Sequence, residues 1–161
     1  MPSLGNESTV AGTEVWLTPP YILEALGVFD LDPCASVDRP WNTARNHLTE
    51  LDDGLNQEWF GRVWLNPPYG PKLAPFLEKL SNHSGGGVAL VFARTETKAF
   101  FDHVWGKANG ILFIKGRIKF HKPNGELAGS SGSPSVLIAY GKEESELLEN
   151  CKLTGKFLRI R

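Results

Sequence analysis

The 161-residue chain has little to offer metal or disulfide chemistry: two cysteines, four histidines and one methionine. Cys34 and Cys151 form neither a Cys-x-x-Cys pair nor a disulfide framework, which fits a reducing, cytoplasmic compartment. His47, His83, His103 and His121 show no i, i+4 pairing or other ligand spacing, so no metal is expected. No apolar run approaches the roughly 20 residues of a membrane helix. The polar stretch 1–12 lacks a charged segment followed by an apolar one, so no secretory signal is read. Internal repeats are missing as well. A net charge of −1 excludes a protein whose whole surface wraps nucleic acid and leaves room only for a local basic patch. What remains is 41% hydrophobic and long enough to bury a sizeable core. The expectation is a single domain over 1–161, with 1–12 as a flexible terminus.

The most informative stretch runs from Arg62 to Gly70, Arg-Val-Trp-Leu-Asn-Pro-Pro-Tyr-Gly. Val63, Trp64 and Leu65 are good strand formers, and Pro67 and Pro68 end the run because proline cannot donate to a strand ladder. A buried strand would thus deliver Asn66, Pro67, Pro68 and Tyr69 to the carboxyl edge of a sheet, where open α/β sheets bind ligands. The Asn66 side-chain oxygen and the Pro67 carbonyl are two neutral acceptors able to converge on one NH2 group. An amine held by both hydrogens must aim its lone pair elsewhere, and positioning an electrophile there can supply much of a rate. Tyr69 offers a face for stacking a planar base. A Pro-Pro turn after a core strand, with Tyr69 as packing, is the plain structural alternative.

Asn66-Pro67-Pro68-Tyr69 resembles the catalytic motif of S-adenosylmethionine-dependent amino-methyltransferases, which methylate adenine N6, cytosine N4 or glutamine N5. Asp32-Pro33-Cys34-Ala35, after the alternating Val28–Leu31 segment, resembles the turn of phage Dam-type enzymes; the glycine-rich loop of related enzymes is absent. Asp53-Gly54-Leu55 followed by Trp59 is again similar to that family. The three motifs stand in the family's order, and the resemblance covers about Glu14 to Tyr140.

The resemblance implies S-adenosylmethionine as cofactor and double-stranded DNA as substrate. Asn66, Pro67, Pro68 and Tyr69 would be catalytic. Cofactor candidates are Trp16, Thr18, Pro19, Asp32, Pro33, Cys34, Ala35, Glu50, Asp53, Leu55 and Asn66. A capped helix with a core tryptophan accounts equally for Trp16 to Pro19, and a solvated acidic turn for Glu50 and Asp53. Read from the residues, Thr18 is a helix N-cap with Pro19 in the first helical position and a stop at Gly27. A second Pro-Pro-Tyr follows it, but a Thr hydroxyl cannot replace the amide oxygen of Asn66, so this is not the catalytic copy.

Further along, His47-Leu48-Thr49 is a brief strand and Pro71 opens a helix through Leu73, Phe76, Leu77 and Leu80. Val88–Ala93 is a continuous apolar strand buried on both faces. Arg94 and Thr95 lie at the same sheet edge as Asn66 and could meet DNA phosphate, or Thr95 and Thr97 could simply cap the helix of Ala99–Trp105. Lys115 to Lys122 interleaves basic and apolar residues after strand Ile111–Ile114 and is the best basic patch in the chain. Arg117, Lys119 and Lys122 would face DNA phosphate or line a solvated strand face. Residues 123–135 read as a glycine and serine-rich loop, Val136–Tyr140 as a strand, Lys142–Asn150 as a helix and Lys152–Arg161 as an edge strand or DNA-facing arm.

The fold class is therefore α/β. The resemblance specifies a compact, three-layer, Rossmann-like methyltransferase fold with a mainly parallel sheet and an antiparallel strand near one end. Only about 24 residues separate the first strand from the catalytic one, fewer than a full βαβ unit needs, so the sheet is shortened on that side. The expected function is DNA N6-adenine methylation. Two alternatives stand beside it: glutamine N5-methylation of protein, which shares the tetrapeptide, and a non-catalytic DNA-binding module of the same fold.

Overall fold

The computed structural model describes residues 16–161. Helix α1, Pro20–Leu26, comes first and buries Ile22, Leu23 and Leu26. Pro19 is its N-cap and Pro20 its first residue, one position later than the sequence suggested, and Thr18 makes no cap bond. Preceding a proline, Thr18 and Pro19 are pushed toward extended backbone, which delays the helix.

Strands β1 (Leu31–Asp32) and β2 (Asn46–His47) are short, and β3 (Val63–Leu65) is buried throughout. Helix α2 (Leu73–Ser81) presents Phe76, Leu77 and Leu80 to the core; it begins two residues after Pro71. Strand β4 (Gly87–Phe92) precedes α3 (Lys98–Phe100), which widens into a π-helical turn over Phe101–Trp105. Strands β5 (Gly110–Ile114), β6 (Lys119–His121), β7 (Leu127–Ser130) and β8 (Ser135–Tyr140) follow, then α4 (Lys142–Asn150) and β9 (Gly155–Arg159). Strand β7 corrects the reading of 123–135 as a plain loop: it pairs antiparallel with β6, using main-chain bonds that leave no side-chain pattern.

Seven strands form one sheet in the order β2-β1-β3-β4-β8-β5-β9. The β1–β2, β1–β3 and β3–β4 pairs are parallel. Strand β8 lies antiparallel between β4 and β5, and β9 antiparallel beside β5 at the edge. Five strands therefore share one direction and two oppose it, where a single antiparallel strand was expected.

Side chains alternate across the sheet. Ala89, Val91, Val136, Ile138 and Tyr140 pack with Phe76, Leu77 and Leu80 of α2 and Phe100 of α3. Val88, Leu90, Leu137 and Ala139 pack on the opposite face with Ile22 and Leu26 of α1 and Leu148 of α4. Helices thus cover both faces, which explains the continuous apolar runs of β4 and β8. Each large side chain so buried is worth about 1.5–3 kcal/mol. At the amino edge, Arg62 forks onto Glu144 of α4 (Nε–Oε2 2.6 Å, Nη2–Oε1 2.9 Å) and lies 3.9 Å over the Phe29 ring. That pair ties β3 to the outer helix layer, away from the carboxyl edge.

Candidate active site at the carboxyl edge of the sheet

The chain leaves β1 toward β2 on one side and returns to β3 on the other. This reversal makes the β1/β3 border the switch point, where the carboxyl ends open a crevice. The Asp32–Ala35 turn and the Asn66–Tyr69 turn leave these two adjacent strands, so the topology brings the first and last of the three sequence motifs side by side.

Asn66 is half-buried, and its Nδ2 donates to the Trp16 carbonyl (3.1 Å) and lies 3.5 Å from Thr18 Oγ1. Both neighbours are acceptors toward it, so the amide stands with nitrogen inward. Among the described residues no donor engages Asn66 Oδ1 or the carbonyl of buried Pro67. Two acceptors of the kind the sequence argued for are therefore uncommitted.

Tyr69 is 42% exposed. One ring face stacks on Phe92 at the end of β4 (4.6 Å between centroids, 12° between planes), and its Oη accepts the Phe92 N–H at 2.9 Å. Burial of the hydroxyl end raises the phenol pKa, so it stays protonated. The exposed face of the ring is what remains for a planar partner. Phe92, absent from the sequence candidates, is the backing plate of this platform; only its place at a strand end would have marked it.

Asp32 is buried, with Oδ1 accepting from Cys34 N (2.9 Å) and Oδ2 from the Thr43 hydroxyl. Burial outweighs these bonds and lifts its pKa from 3.8 to about 6. The carboxylate thus shapes the turn first, though two of its roughly four lone-pair sites stay open. The amide of Ala35 donates to Leu48 O (2.9 Å), extending the β1–β2 ladder. Burial, helped by the Asp32 charge, pushes the Cys34 thiol well up, so it is no nucleophile.

The acidic turn packs directly on this one. A Cβ on Gly54 would stand 2.3 Å from the Pro33 carbonyl oxygen, so only glycine permits the approach. Trp59 Nε1 holds the Gly54 carbonyl at 2.8 Å. Asp53 carries a left-handed backbone (φ 56°), a conformation Asp tolerates better than most, and accepts from Asn56. Glu50 is exposed, and Leu55 packs against the core. The sequence candidates on 32–35 and 53–55 are therefore neighbours.

Trp16, Thr18 and Pro19 approach from the other side. Leu17 bridges antiparallel to His121 of β6 through two bonds (2.7 and 3.0 Å). Thr18 and Pro19 are buried, while Trp16 is half-buried. The β6–β7 hairpin consequently stands over the site edge, with Arg117, Lys119 and Lys122 exposed; Arg117 also reaches the Ser131 carbonyl (3.3 Å). Arg94 is exposed beside Phe92, its Nη2 3.4 Å from Ser133 Oγ. Thr95 does not cap α3: Thr97 does, while the Thr95 carbonyl accepts from Trp105.

An open groove of about 660 Å³ lies elsewhere, between Leu55–Trp59 and α2, lined by Trp59, Lys79 and His83. Lys79 Nζ is committed there to the Leu55 and Gln57 carbonyls, and of the candidate site residues only Leu55 lines the groove. Among the described residues no group of three or more His, Cys, Asp or Glu could hold a metal, and no helix is long and apolar enough to cross a membrane.

These features define an α/β protein whose sequence motifs gather at the carboxyl edge of the sheet, at its switch point and next to a hairpin that carries exposed basic residues. The family model for DNA N-6-adenine-methyltransferase (Dam) matches residues 6–148, and the chain belongs to that family. Comparison with curated proteins gives no match. The family assignment favours adenine in DNA over the glutamine reading.

Proposed function

We propose that this single Rossmann-like domain transfers a methyl group from S-adenosylmethionine to N6 of an adenine in double-stranded DNA. The observation that carries this is the state of Asn66: its NH2 is committed to Trp16 O, so its Oδ1 and the Pro67 carbonyl are the acceptors left for an incoming amine.

The residues at the crevice suit the cofactor. Glycine at 54 lets the acidic turn pack on the Pro33 carbonyl, and Glu50 in the preceding turn is exposed, with no ion pair among the described residues. Asp32 to Ala35, Glu50, Asp53 and Leu55 would hold the cofactor from one side, Trp16 to Pro19 from the other. Thr18 and Pro19, being buried, would act by shaping the wall. When bound, S-adenosylmethionine supplies an electrophilic methyl group.

The chain's own groups handle the base. An amine held in a base pair is out of reach, so the adenine must be turned out of the duplex. The exposed face of Tyr69 stacks it, and Asn66 Oδ1 and Pro67 O accept the two amine hydrogens. The nitrogen lone pair then points away from the protein acceptors, in the geometry that proximity catalysis requires. No strong base is needed, because the methylated amine sheds its extra proton to water afterwards. Arg94, Thr95, Arg117, Lys119 and Lys122 would grip phosphates and set the register without reading sequence.

Asn66→Ala tests this reading. Calorimetry should show cofactor affinity close to wild type, while turnover falls by about 10²–10³, as when one fixed polar contact to a reacting group is removed. Retained turnover would exclude Asn66 from the chemistry.

A further inference from the structure

An asparagine amide can stand either way round, and only one way serves an amine. With oxygen outward it accepts an N–H; with nitrogen outward it sets donor against donor. Whatever holds Asn66 Nδ2 inward therefore decides whether the site can work, an argument that rests on the proposed role of Asn66. The holder is the carbonyl of Trp16 at 3.1 Å, with Thr18 Oγ1 at 3.5 Å behind it. Both belong to the extended strap 16–18, which is outside the sheet and has its place only through its partners.

Those partners converge on one residue. The strap is bridged on one side to His121 through Leu17. On the other, the Trp41 indole Nε1 donates to the Thr18 carbonyl at 3.1 Å. The Trp41 ring also stands edge-on against the His121 ring, 5.0 Å between centroids at 90°. Trp41 thus touches both the strap and the hairpin residue that pairs with it. We propose that Trp41 is a positioning residue, pinning the Trp16–Thr18 strap so that the Asn66 amide presents Oδ1 rather than Nδ2 to the substrate. The same contact makes this site specific for Asn: a carboxylate at 66 would set a second oxygen against the Trp16 carbonyl.

The test compares full-length wild type, Trp41→Phe and Asn66→Asp. Trp41→Phe keeps an aromatic ring and loses the indole N–H. The Asn66 side-chain amide resonance, assigned as the one Asn66→Ala removes, should shift and exchange faster in Trp41→Phe. Its kcat should fall about tenfold, the worth of roughly one hydrogen bond, with KM for DNA within about twofold. Asn66→Asp should be poor near pH 8 and gain up to about a hundredfold relative to wild type toward pH 6, because the protonated fraction that restores a donor toward Trp16 O grows about tenfold per unit fall in pH above the carboxyl pKa. An unchanged amide resonance and kcat in Trp41→Phe overturns the proposal. So does an Asn66→Asp rate that tracks wild type at every pH, which decides the matter if Trp41→Phe fails to fold. If wild type methylates no DNA, the functional reading fails, while the resonance comparison still decides the orientation claim.

Discussion

Replacing Asp32 by asparagine keeps the shape of the turn after β1 and removes its ionisable group. The amide oxygen can still accept from Cys34 N, and the amide nitrogen can donate to Thr43 with the hydroxyl turned round. What changes is charge. The Asp32 carboxyl has its pKa raised from 3.8 to about 6, because burial outweighs the Thr43 and Cys34 bonds and the attraction of Arg39. Below the lower value both folded and unfolded chains hold the proton, and no ionisation cost arises. Between the two values the unfolded chain has released a proton that the folded chain retains, so stability falls as pH rises. Above about 6 the full cost applies: a shift of roughly 2 units at 1.36 kcal/mol each, or about 3 kcal/mol. The Asp32→Asn variant escapes it. Thermal melts from pH 4 to pH 8 should show the two proteins alike at the acid end and the variant roughly 6–12 °C higher at pH 7.5, at 2–4 °C per kcal/mol for a domain this size. The half-buried His47 imidazole, its pKa lowered by desolvation and Arg39, contributes an opposite slope, but it is present in both proteins and largely cancels in the difference. A variant less stable at pH 7.5, or a gap that does not change with pH, would refute the reasoning. Cofactor titration of the same variant measures separately whether the carboxylate also serves a ligand.

Arg62→Met leaves the Glu144 carboxylate nearly buried and unpaired, and urea unfolding should show a loss of about 3 kcal/mol; a loss under about 1 would mean the pair is effectively solvated. Tyr69→Ala removes the stacking face and should raise KM for DNA by roughly tenfold or more, from the 1–3 kcal/mol a stacked base is worth, whereas Tyr69→Phe stays near wild type in steady-state kinetics. Replacing Arg117, Lys119 and Lys122 together by alanine should weaken binding to every DNA sequence alike. The slope of log K against log salt should then shrink by about 1 for each phosphate that is no longer neutralised; an unchanged slope would assign that face to solvent.

Much of the sheet was legible because burial on both faces writes itself into sequence. Val88–Val91 and Val136–Tyr140 are apolar without alternation for that reason, and the prolines after Leu65 mark a strand end by what they cannot donate. The catalytic candidate followed from the residue types at that end. Strand β7 was illegible, since its mostly exposed residues pair through main chain and Gly129 sits at φ 92°. Equally hidden were bonds joining distant positions, such as Asn66 to Trp16 and Trp41 to Thr18, which leave no periodicity. Asp32 shows the limit most plainly: an acid before a proline reads the same whether it faces a ligand or folds back on its own turn, and here it folds back.

The most direct measurement is methyl transfer from labelled S-adenosylmethionine to unmethylated duplex DNA, with the product nucleosides separated. Label should appear in N6-methyladenine with the wild-type chain and nearly disappear with Asn66→Ala. Label in another nucleoside, or none at all under conditions where the cofactor binds, would contradict the proposed function.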